Sequence, residues 1–318
     1  MLNFILGRFN SKSRDKLYQI LKEKIDSNKK IVFIVPEQNS FYTELKLLDF
    51  LGDKKFNKIN VLSFSRLYDF ISRKLNIPPI SEFSEIKQIV AINSAIEEVR
   101  PHLKIYKNII LNEDTVNVVL STFKEMSLNK IDNKVLENIK RLSDKDMLTQ
   151  KISEIQMIIE RYEKIIETKF SNSFSSLDLV EEAINSNKIF DGYEIFIDGF
   201  NNFTKQQFSI LKHMLDQSQN MYMSFICDNS NIKDIGTFSE VYKTISNVKK
   251  LAVDLNIEIA PHDFIFEKNY LPNDLNYLEE NIFSAFKKKF SSESENIVIY
   301  NALDQNEECA FIAGTIKK

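Results

Sequence analysis

Apolar residues dominate five short runs, at 2–6, 31–35, 59–64, 194–197 and 221–226. Strands covered on both faces read this way, whereas strands with one wet face alternate. The first three runs are separated by helix-length segments, the spacing of a right-handed strand–helix–strand chain. Together they predict an α/β fold built on a parallel sheet.

The period changes between about residues 81 and 188. Ile86, Ile89, Val90, Ile92, Ile96 and Val99 recur at helical spacing, and so do Leu148, Ile152, Ile155, Ile159, Tyr162 and Ile166. Ser175 and Asp178 have the spacing of a capping box that opens another helix. The block predicts an all-α domain inserted into the α/β domain; a separate helical domain between two unrelated ones is the alternative. Insertion is favoured because 194–197 resumes the style of the earlier strands. Further on, Thr204 and Gln207 make a capping box, and Phe203 with Phe208 a hydrophobic staple. Residues 287–295 predict a charged linker, 297–300 a strand of a new domain, and 305–318 the beginning of a helix. One strand and part of a helix cannot bury a core, so the pattern predicts a longer protein. The predicted division is 1–80 with 189–286 as the α/β domain, 81–188 as the helical insertion, and 296–318 as the start of a further domain.

The chemistry sits first at the N-terminus. The apolar run Leu2-Asn3-Phe4-Ile5-Leu6 leads into Gly7-Arg8-Phe9-Asn10-Ser11-Lys12-Ser13, and an amphipathic stretch follows. Strand, glycine, tight loop with lysine and serine, then helix is the layout of a phosphate-binding loop. The spacing departs from it: that loop needs Gly, four residues, then Gly-Lys-Ser/Thr. Counted from Gly7, Lys12 falls on the second glycine, Ser13 on the lysine and Arg14 on the hydroxyl residue. Such loops wrap phosphate oxygens with backbone N–H groups at a helix N-terminus, and the second glycine permits the close approach. A capped strand–helix turn, with Asn10, Ser11 or Ser13 as N-cap, is the alternative. The second half of a nucleotide site would be Asp198, at the end of Ile195-Phe196-Ile197. There an acid holds Mg²⁺. The next residue is Gly199, without a carboxylate to position water. Taken alone, Asp198 reads equally as a turn residue. The degenerate nucleotide site is therefore Gly7, Arg8, Ser11, Lys12, Ser13 and Asp198, and no hydrolysis is expected.

Composition narrows the partners little. The 318 residues are 43% hydrophobic and 27% charged, with 42 basic and 45 acidic side chains and a net charge of −3. That favours no nucleic-acid partner globally, yet leaves room for a local basic groove. The two cysteines, Cys227 and Cys309, have no metal spacing and suit free thiols of a cytoplasmic protein. No apolar run approaches membrane-spanning length, so no membrane partner is expected.

Four segments in order carry a resemblance. They are Phe4-Ile5-Leu6-Gly7-Arg8; Ile34-Val35-Pro36-Glu37-Gln38 with Ser40-Phe41; Val61-Leu62-Ser63-Phe64-Ser65-Arg66-Leu67; and Ile197-Asp198-Gly199-Phe200 with Phe203-Thr204. The chain resembles AddB/RexB, the B subunit of the bacterial ATP-dependent helicase–deoxyribonuclease that processes double-strand breaks. Leu275-Asn276-Tyr277-Leu278-Glu279-Glu280-Asn281-Ile282-Phe283 and Asn301-Ala302 with Glu307, Glu308 and Ala310 extend it. The resemblance implies a RecA-like domain of the UvrD helicase type with a helical insertion, then a second RecA-like domain opening at 296–318. It also implies a nuclease domain with an iron–sulfur cluster beyond this sequence, and no cofactor in this chain. The implied partners are an AddA/RexA-type helicase–nuclease subunit, which drives unwinding, and single- and double-stranded DNA. The family's intact loop reads Gly-Arg-Ala-Gly-Ser-Gly-Lys-Ser/Thr; this chain keeps Gly7, Arg8 and Ser11 and loses the central glycines.

By the same resemblance, Pro36, Gln38, Ser40, Ser63, Ser65 and Arg66 match helicase elements that touch single-stranded DNA. Hydroxyls, an amide and an arginine at strand C-termini suit phosphate contacts, which need donors but no sequence readout. Pro36 donates nothing and would shape the loop. Capping and turn chemistry is the alternative for the serines. For Arg66 it is an ion pair with an acid such as Asp69. Two other functional classes remain: an active phosphate-loop enzyme such as a nucleotide kinase, which needs an intact loop, and a non-catalytic protein-interaction scaffold.

Overall fold

In a parallel sheet with helices on both faces, alternate residues of each central strand must fit two different cores. The strands here do so. A computed structural model describes residues 1–77, 85–142, 146–169, 176–228, 236–282 and 288–317. Its strands are β1 (Leu2–Gly7), β2 (Lys30–Ile34), β3 (Ile59–Leu62), β4 (Tyr193–Ile197), β5 (Asn220–Ile226) and β6 (Asp263–Ile265). They form one sheet in the order β3-β2-β4-β5-β1-β6, every named pairing parallel. The strand carrying Gly7 and the strand leading into Asp198 are thus separated by one other, β5.

The helices are α1 (Ser13–Asp26), α2 (Ser40–Leu51), α3 (Asp53–Phe56), α4 (Leu67–Leu75), α5 (Glu85–Val99), α6 (Glu113–Leu128), α7 (Asn133–Leu142), α8 (Asp146–Lys169), α9 (Ser176–Ser186), α10 (Lys205–Gln217), α11 (Ser239–Asp254), α12 (Asn273–Asn281) and α13 (Gln305–Lys317). On one face of the sheet, Leu17, Tyr18, Leu21 and Ile25 of α1 and Leu47 of α2 meet Ile31, Phe33, Phe196 and Tyr222. The rings of Phe33 and Phe196 stack at 6.0 Å, and those of Phe196 and Tyr222 at 4.7 Å. On the other face, Val32, Ile34, Ile195, Ile197, Met221 and Met223 meet α4, α9, α10 and α11. Side chains of this size contribute roughly 1.5–3 kcal/mol each when fully buried, so neither layer can be peeled off cheaply.

Between α4 and β4 every regular element among the described residues is helical. Helices α5, α6 and α8 share clusters of their own: Ile92, Ile96, Val116, Leu120 and Ile158, and beside them Ala91, Ala95, Ile165 and Ile166. The last helix of the stretch, α9, instead gives Leu177, Val180 and Ile184 to the sheet-side core. Two of the apolar positions read from the periodicity of α5, Ile86 and Val90, are exposed. The small residues Ala91 and Ala95 fill the contact instead.

Two differences from the sequence reading concern strands. The run 297–300 pairs with none of the described strands, and Val298 and Ile299 are exposed. And β6, three residues against β1, was not among the predicted strands. The capping box at Thr204 and Gln207 is formed, and Phe203 meets Phe208 at 5.5 Å. Ser175 and Phe283 lie outside the described residues. No described helix is long and apolar enough to cross a membrane.

Candidate nucleotide and nucleic-acid sites at the carboxyl edge of the sheet

Ligands of open α/β sheets gather outside the carboxyl ends of the strands. The carboxyl ends of β1, β2, β3 and β4, with the loops and helix starts that follow them, carry all twelve residues singled out by sequence, and the structure sorts them into two groups.

The first is the loop after β1. A Cβ on Gly7 would run into the Ser11 hydroxyl and lie 3.1 Å from the Ser11 and Ser13 Cβ atoms, so a side chain there would displace Ser11. The N–H and hydroxyl of Ser11 both donate to the Arg8 carbonyl, at 2.9 and 2.7 Å. A strap from residues 267–269 lies across the loop: Lys12 N–H donates to Glu267 O and Asn269 N–H to Asn10 O, each at 2.8 Å. The Lys12 ammonium pairs with the Glu267 carboxylate, which raises its pKa. Arg8 donates to Glu279 through Nε at 2.6 Å and pairs with Asp228. Its partial burial opposes the charge, but Glu279 and Asp228 outweigh that and raise its pKa. The α1 N-cap is Lys12, with no side-chain capping bond, so none of Asn10, Ser11 and Ser13 plays that part.

Asp198 closes this group. It is buried, its N–H donates to Ile34 O at 3.1 Å, and its carboxylate accepts from Ser224 Oγ. The other carboxylate oxygen accepts from Arg14 Nε at 3.0 Å. Burial first, then the Asp198 charge, pushes the Tyr18 phenol up to about 12. Arg14 occupies the motif position whose hydroxyl, with the acid, holds Mg²⁺ in an intact site. A guanidinium has only donors and offers a metal no lone pair. With Lys12 at the second glycine, the strap on the loop amide and Arg14 on the acid, the residues present do not fit a magnesium nucleotide. Among the described residues no cluster of histidine, cysteine and carboxylate side chains suits another metal. Gly199 has φ +83°, and a Cβ there would lie 3.2 Å from Pro36 Cδ.

The second group follows β2 and β3. Pro36 precedes a single 3₁₀ turn, Glu37–Asn39, and packs beside Gly199, which joins the two groups. The Glu37 carboxylate accepts from both the Ser63 and Ser65 hydroxyls. The two hydroxyl oxygens lie 2.7 Å apart. Arg66 Nε stands 3.4 Å from Glu37, and Arg66 Nη1 3.4 Å from Glu44. Its ion pairs are therefore with Glu37 and Glu44 rather than with Asp69. The serine hydroxyls, and then Arg66, hold the Glu37 carboxyl below its ordinary range, against the effect of burial. Ser63 is buried and serves no helix cap. Ser40 is buried as the first residue of α2, and Gln38 is exposed.

Sequence reading missed Arg14 as an ion-pair partner, and also Ser224, Asp228, Glu279 and Glu37. Arg14 and Glu37 carried a signal, since both lie inside quoted motifs. The other three are assembled only by the fold.

The family described as "ADDB, N-terminal" matches residues 4–279. The relatives include proteins named as the B subunit of an ATP-dependent helicase/deoxyribonuclease. That of Clostridium tetani is 25% identical over 330 residues, covering 100% of this chain and 29% of the relative. That of Clostridium botulinum is 25% identical over 329 residues, covering 100% and 28%. That of Acetivibrio thermocellus is 23% identical over 321 residues, covering 97% and 28%. The chain thus spans under a third of the length of these relatives. With a family match running from inside β1 into α12, the chain belongs to the AddB N-terminal family.

Proposed function

We propose that this chain is the N-terminal, motor-like and DNA-facing region of a helicase–deoxyribonuclease B subunit acting in double-strand break repair and recombination. Its α/β part is a RecA-like domain of the UvrD type, residues 81–188 are its inserted helical domain, and 296–318 open a second such domain. It does not hydrolyse ATP. An A-type subunit supplies the motor, and the work is done in the cytoplasm.

The observation that carries this reading is the Arg14–Asp198 pair at 3.0 Å. It puts a covalently attached cation where a motor needs a metal, on the same sheet edge as the donors Ser63, Ser65 and Arg66. The names of the relatives, each the B subunit of a helicase/deoxyribonuclease, support the same assignment. Gln38, Ser40 and Pro36 complete the proposed DNA edge.

ATP hydrolysis by the intact protein, with and without single-stranded DNA, tests the first half. No turnover is expected, and turnover abolished by Asp198→Ala overturns it. For the second half, Arg66→Ala should weaken DNA binding about equally across sequences and lower the salt slope by about 1. Unchanged affinity overturns it.

A further inference from the structure

We infer that Ser63, Ser65 and Arg66 form an oxyanion pocket that the chain itself fills with Glu37, and that a nucleic-acid phosphate enters by displacing this carboxylate. The inference rests on the DNA-facing reading above and adds a competitor to it.

Three donors from one short segment converge on a single carboxylate: two hydroxyls and a guanidinium nitrogen. Donors at that density suit an oxyanion, and a phosphate offers more acceptor oxygens than a carboxylate. The floor of the pocket is fixed. Ser63 is 1% exposed and sits directly after β3, whose register against β2 is set by the sheet. The occupant is not fixed in the same way. The Glu37 side chain is 54% exposed and belongs to a turn of three residues. One backbone bond within that turn, Asn39 N–H to Pro36 O at 2.9 Å, need not break for the side chain to swing out.

The surroundings favour a nucleic-acid strand as the incoming anion. Phe41 and Tyr42, 71% and 56% exposed, stand on the first turn of α2 immediately after the Glu37 turn. Exposed rings beside a phosphate site are the ingredients of sequence-tolerant single-strand binding. Glu44, the second acid on Arg66, adds repulsion toward a polyanion and keeps the guanidinium engaged when no strand is present. Half-exposed pairs of this kind are weak, so the competition is one that a phosphate can win.

The test is binding of a labelled oligothymidylate to the intact protein, alone and with its A-type partner, at two salt concentrations. Glu37→Gln keeps the shape and removes the charge; Glu37→Ala empties the pocket. Both should tighten binding, by about three- to tenfold, while Arg66→Ala and Ser63→Ala weaken it. Thermal melting of each variant shows that it is folded. If Arg66→Ala weakens binding but neither Glu37 variant tightens it, Glu37 is not a competitor and the DNA-facing reading stands. If Arg66→Ala and Ser63→Ala leave affinity unchanged, that reading itself fails at this edge.

Discussion

At the level of single residues, Gly199 leaves little room for the glutamate that would follow the acid of a hydrolytic site. A glutamate there would place a side chain at φ +83°, with its Cβ 3.2 Å from the Pro36 ring. A left-handed non-glycine residue costs of order 1–3 kcal/mol when held by its surroundings. Gly199→Glu should therefore lower the unfolding midpoint in urea and yield no ATPase. Glu154 on α8 makes a second prediction. It is fully buried and accepts the N–H groups of Lys104, Ile105 and Tyr106, and also Gln150 Nε2. Burial pushes its carboxyl up, but these donors outweigh it and hold it at about 2, below its usual 4.5. A depressed carboxyl stabilises the fold fully above the unfolded value and loses that contribution as pH falls through the folded one. Glu154→Gln should cost about 3 kcal/mol at neutral pH, and the deficit should shrink between roughly pH 4.5 and 2. Unfolding curves at neutral and acid pH check both statements.

At the scale of elements, the capping box at Thr204 was visible because its parts lie within four residues, and Thr204→Ala should cost about 1 kcal/mol. A loss in melting temperature with no change in DNA binding is the expected result. Strands β1–β5 were legible for a related reason: largely apolar runs are what two covered faces demand. What was not legible depends on partners distant in sequence. The strand β6 exists because β1 offers an edge, with Leu6 opposite Phe264, and three residues cannot advertise that. The run 297–300 has the composition of a strand but pairs with none of the described strands. Ile86 and Val90 obey helical spacing, yet Ala91 and Ala95 make the contact, because close helix packing selects small residues that periodicity ignores. In the candidate site, Gly7 and Asp198 were readable from strand–loop order. The strap at 267–269 was not, since it returns to the loop from more than 250 residues away.

For the whole molecule, the prediction is thermodynamic silence toward nucleotide. A ligand that binds only the folded state raises stability with its concentration. Millimolar ATP with magnesium, or a chelator, should leave the melting temperature of this chain unchanged, whereas a short DNA strand should raise it. A nucleotide-dependent rise, lost in Asp198→Ala, would reverse the picture.

Arg14 on Asp198 also differs from a metal in time. A magnesium ion comes and goes, and a motor uses its arrival and departure as a clock. A guanidinium on the first turn of α1 is tethered, so its local concentration is set by chain geometry and not by the surrounding medium. Whatever arrangement of the strand ends the cation enforces is then held whether or not metal or nucleotide is present.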